Sequence, residues 1–121
     1  MDERLQRAAK RLGQALRASA PVRAHLDANA TLEADADATS LLDAIVERQA
    51  ELRVKQTDGG LTQADIDGLR EFQSRVQAQP SIAAYMQTSQ DVRALLSQVD
   101  QEITQVLGVD FARLARKSGC C

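Results

Sequence analysis

Apolar residues return every three or four positions along almost the whole chain, and no stretch of β-branched or aromatic residues alternates with a period of two. The pattern predicts an all-α fold, a bundle of about five helices followed by a short sixth segment. A first helix over residues 2–18 places Leu5, Ala9, Leu12 and Leu16 on one face and Arg4, Arg7 and Arg11 on another. Ser19-Ala20-Pro21 reads as a stop and a restart, because serine caps helix N-termini and proline is tolerated in a first turn. A second helix then carries Val22, Leu26 and Ala30 as its apolar positions. The third, capped by Asp35 or Asp37, uses Leu41, Leu42, Ile45, Val46 and Leu52 and ends before Asp58-Gly59-Gly60. Thr62-Gln63-Ala64-Asp65 has the form of an N-terminal capping arrangement, opening a fourth helix with Ile66, Leu69, Phe72 and Val76 inward.

The fifth helix, from Ser81, is the longest amphipathic segment. Ile82, Tyr85, Val92, Leu96, Val99, Ile103 and Val106 follow a three-four spacing interrupted at Ser89. A helix of about 27 residues spans roughly 40 Å, against a radius of gyration of about 14 Å for a compact domain of this length. The seam is therefore expected to be an interface completed by a second subunit, in an intertwined or packed homo-oligomer. Gly108 closes the helix. We expect a single helical domain over residues 1–108, then a short helix and a Cys-Cys tail over 109–121. Residues 12–32 overlay residues 72–92 at an offset of 60, with His25 falling on Tyr85, as two similar helical hairpins packed together would give.

Composition narrows the function. With 2% aromatic residues and no Trp, the chain lacks the rings that stack bases or line ligand pockets. Its net charge is −2, so direct nucleic-acid binding is not expected, although the first helix is locally basic and residues 27–51 hold seven carboxylates against Arg48 alone. The opening residues carry charges every few positions and there is no long uncharged apolar run, which predicts a cytosolic protein without membrane contact.

Catalytic chemistry is poorly supplied, and no enzymatic activity is expected. His25 is the lone histidine and has no HExxH pattern or neighbouring cysteine, so it reads as a structural or surface residue. Asp35 with Asp37, and Asp65 with Asp67, point in different directions at their i,i+2 spacing and read as charges favouring helix N-termini. Gly59-Gly60 lacks the lysine of a phosphate loop and reads as a turn. Bulk packing does not explain the Gly119-Cys120-Cys121 end. Cys120 and Cys121 are candidates to bind an iron–sulfur cluster, to form a redox-active disulfide or, in a eukaryote, to carry a lipid. A cluster usually needs four thiolates, so a second subunit or partner has to supply the rest.

The order of these features, with the break at Ser19-Ala20-Pro21, the long third helix, the Gly59-Gly60 turn, Pro80-x-Ile82-x-x-Tyr85, the helix through Val92 and Val106 and the Cys120-Cys121 end, resembles the YlbF/YmcA family of small bacterial helical regulators. The resemblance covers nearly the whole chain and rests mostly on apolar spacing. It implies a non-enzymatic all-α protein that associates with itself and its relatives and is tied to competence, biofilm formation and sporulation. It also implies a complex with a YaaT-type partner that assists ribonuclease Y in processing transcripts and is associated with iron–sulfur clusters, for which Cys120 and Cys121 are the candidate ligands here.

Overall fold

The computed structural model describes residues 1–117, which form six helices and, among the described residues, no strand: α1 (Glu3–Ala18), α2 (Ala20–Ala34), α3 (Ala36–Asp58), α4 (Gln63–Ala78), α5 (Pro80–Leu107) and α6 (Phe111–Lys117). Each boundary has a local cause. Asp2 accepts from the Arg4 amide at 2.8 Å and starts α1. Ser19, at ψ 149°, is extended and separates α1 from α2, whose first turn accommodates Pro21. Asp35 caps α3, and Gly59 ends it at φ +74°, a left-handed conformation that costs a side-chain-bearing residue steric strain. Thr62 and Asp65 form the reciprocal capping box at the start of α4. The fifth helix begins one residue earlier than its sequence pattern indicated, because Pro80 takes the first helical position and Gln79 caps it.

The main packing is an antiparallel pair in which α2 lies along the first part of α5, with α3 and α4 forming a hairpin beside it. Leu32, Ala38 and Ile82 are buried together, and Leu41, Leu42, Val76 and Tyr85 close around them. The second helix faces this core differently from the simplest reading of its pattern. Ala28 and Leu32 are buried whereas Leu26 is exposed, since the small Ala28 side chain lets α5 approach. Along α4 the apolar residues Ile66, Leu69, Phe72 and Val76 are only half-buried, and the buried residue is Asp65.

The core is small for the chain. The molecular surface is 9404 Å², about 3,000 Å² more than the roughly 6,400 Å² that surface-to-mass scaling gives a compact monomer of 13.2 kDa. The excess comes from helices that extend beyond the core. No residue of α1 is buried, and α6 packs only against the end of α5.

Candidate interaction surface

The apolar face of α5 is covered unevenly. Ile82 is buried in the core. Tyr85, Val92, Val99 and Ile103 are half-buried, Leu96 is 46% exposed and Val106 is 86% exposed. Helical periodicity puts Leu96, Val99, Ile103, Val106 and Leu107 on the same side as Tyr85 and Val92. One continuous apolar face is thus occupied by α2 near its N-terminal end and left open towards its C-terminal end. The seven seam residues are not equivalent: Ile82 and Tyr85 serve the subunit's own packing, Leu96 is about half covered, and Val106 stands almost fully exposed.

At the covered end, the His25 and Tyr85 rings lie 5.0 Å apart, centroid to centroid, tilted by 44°. His25 Nδ1 is 3.0 Å from Thr88 Oγ1, which is itself 2.9 Å from the Ala84 carbonyl. The hydroxyl has a single proton, and the carbonyl can only accept. Thr88 therefore donates to Ala84 and accepts from His25 Nδ1–H. This arrangement ties α2 to α5 and makes His25 a structural residue, as its sequence setting indicated.

The first helix presents a second open apolar face. Leu5 is 59% exposed, Leu12 is also exposed and Leu16 is half-buried, with Arg4, Arg7, Lys10, Arg11 and Arg17 on the remaining sides. Near Ser19, Gln14, Arg17 and Ala18 line an open cleft with Arg23, Leu26 and Asp27. Those α2 residues lie opposite the Ala28–Leu32 face that meets α5, so the C-terminal end of α1 meets α2 on its outer side. Periodicity reveals both amphipathic faces in the sequence, but not this placement.

The acidic residues have structural work. Asp65 is buried, accepts from the Thr62 amide, and is held by Lys55 Nζ at 3.1 Å and more distantly by Arg48 at 3.9 Å. The Thr62 backbone N–H, then Lys55 and the Thr62 hydroxyl, keep its carboxyl below the usual aspartate range. The capping pattern identified Asp65, but its pairing with Lys55 depends on how α3 and α4 pack. Asp35 is also held low, first by Ser81, then by the Ala38 amide and Gln79.

No group of three or more His, Cys, Asp or Glu residues is arranged to hold a metal ion among the described residues. Cys120 and Cys121 lie outside the described residues. Beside α4, a shallow groove is lined by Arg48, Gly68, Glu71, Phe72 and Arg75, with Arg75 over the Phe72 ring at 6.0 Å. Its arginines already face Glu51, Asp65 and Glu71. Among the described residues, no helix is long and apolar enough to cross a membrane.

Fold and surface together define a small all-helical protein whose prominent apolar features are open helix faces. The chain belongs to the YlbF/YmcA family of regulators, described as "Control of competence regulator ComK, YlbF/YmcA", which matches residues 5–107. The match ends at the last residue of α5, so it includes every helix but α6. Searches of curated proteins and of solved structures find no match to the chain.

Proposed function

We propose that this protein is a non-enzymatic cytoplasmic adaptor that self-associates through its long helices and binds other regulatory proteins. By its likeness to the family, its place is in a complex with a YaaT-type partner that assists ribonuclease Y-dependent transcript processing. The observation carrying this reading is the open apolar face at the C-terminal end of α5, on a molecule with about 3,000 Å² more surface than a compact monomer needs. Stable homodimer interfaces commonly bury about 2,000–5,000 Å² in total, or about 1,000–2,500 Å² on each subunit, so the surplus on one subunit is more than enough to supply its share.

Sedimentation equilibrium at micromolar concentration tests self-association. The wild-type chain is expected to be oligomeric and Val106→Asp to be weaker, with helicity unchanged because Val106 is 86% exposed in the subunit. A monomeric wild-type chain overturns this part of the reading. Pull-down from the native cell, with and without Cys120 and Cys121, tests the partners. Recovery of a YaaT-type protein or ribonuclease Y supports the assignment, and recovery of neither by a correctly folded oligomer overturns it.

A further inference from the structure

Each subunit carries two open apolar faces that its own fold keeps apart. One is the face of α1 on which Leu5 and Leu12 are exposed and Leu16 is half-buried, and the other is the end of α5 beyond α2 and beside α6, where Leu96 and Val106 are exposed and Val99 and Ile103 are half-buried. The turn at Ser19 sends α1 to the outer side of α2, so the subunit's own α1 does not cover α5.

Resting on the self-association reading above, we propose that α1 of one copy docks on the open end of α5 of a second copy, reciprocally, in a two-fold exchange of N-terminal helices. Three observations carry it. The first is charge. From Asp2 to Ala18 there are five cations, Arg4, Arg7, Lys10, Arg11 and Arg17, against Asp2 and Glu3, whereas the only charged residues from Leu96 to Leu107 are Asp100 and Glu102. A basic helix and an acidic helix face on the same chain are complementary between copies. The second is exposure: Leu5 and Leu12 on α1 are 59% and 40% exposed, and Leu96 and Val106 on α5 are 46% and 86% exposed, so large apolar side chains stand open on both helices. The third is area, since reciprocal docking covers both open faces at once. That favours a second copy over a lipid surface or nucleic acid, as does the absence of aromatic residues from α1.

Charge exchange between two full-length variants tests the arrangement. Arg4→Glu/Arg11→Glu makes both members of the α1–α5 pair acidic, and Asp100→Lys/Glu102→Lys makes both basic. Either variant alone therefore repels itself at both docking sites. In a one-to-one mixture each site pairs opposite charges again. At low salt each variant alone is expected to associate at least about tenfold more weakly than wild type, and the mixture to recover most of the loss. Circular dichroism confirms that each variant remains helical. If either helical variant alone associates like wild type, or mixing restores nothing, α1–α5 docking is overturned while self-association through another surface stands. A monomeric wild-type chain overturns both.

Discussion

Ser81 Oγ donates a 2.6 Å hydrogen bond to Asp35 Oδ2, joining residues 46 positions apart at the starts of α5 and α3. The same oxygen accepts from Gln79 Nε2 at 3.1 Å, while Oδ1 accepts from the Ala38 amide at 3.1 Å. Gln79 Oε1 in turn accepts from the Ser81 and Ile82 amides. One carboxylate therefore lies against two helix N-termini, whose free amides and dipoles both favour negative charge.

Asp35→Ala is expected to lower the melting temperature measured by circular dichroism more than Asp35→Asn. Asparagine retains an N-cap oxygen for Ala38, and alanine retains nothing. Ser81→Ala should have the smallest effect of the three, because the cap remains. Equal losses for the two Asp35 variants would show that charge, rather than the cap, carries the contribution.

Asp35 and Asp65 both titrate below their ordinary value of 3.8. The folded state thus binds fewer protons than the unfolded state in that range, and the two carboxylates stabilise the fold at pH values above it. Their contribution declines as pH falls past 3.8 and is gone below the lowered folded values. Denaturant midpoints measured between neutral pH and pH 2 should drop over that window, less steeply in Asp65→Asn, which lacks one of the two groups. A slope unchanged by Asp65→Asn would contradict the role of the Thr62 and Lys55 contacts.

Truncating His25 removes a ring contact and one side-chain hydrogen bond. His25→Ala should cost about 2 kcal/mol in urea unfolding, and His25→Phe less, because the contact with Tyr85 survives. Thr88→Val should approach the His25→Phe value. A loss of association with no loss of stability in His25→Ala would place the ring at an interface instead.

Substitution along α5 should separate folding from association. Ile82→Asp places a carboxylate in the core beside Leu32 and Ala38, and is expected to unfold the subunit. Val99→Asp lies further along the same face, and is expected to dissociate the oligomer while preserving helicity. Sedimentation and circular dichroism on the same samples distinguish these effects. A fully associated Val99→Asp protein would move the interface off this face.

The helices were legible because their signals are local. The Thr62–Asp65 capping box, Pro21 in a first turn, and Gly59 and Gly108 beyond helix ends each act within a few residues, and three-four apolar spacing defines a face without reference to a neighbour. The same spacing cannot say what covers the face. Leu26 and Leu32 are both apolar positions of one helix, yet the approach of α5 buries only Leu32.

The sequence by itself determined an all-helical chain, its breaks, its amphipathic faces and a scarcity of catalytic groups. Only the tertiary structure decided that Ile82 is spent on the subunit core while Val106 is left open, that Asp65 meets Lys55 across a hairpin, and that α1 packs on the outer side of α2. These outcomes depend on the relative placement of whole helices. That placement is set by long-range packing and by the extended backbone at Ser19, and a residue's position in a periodic pattern does not encode it.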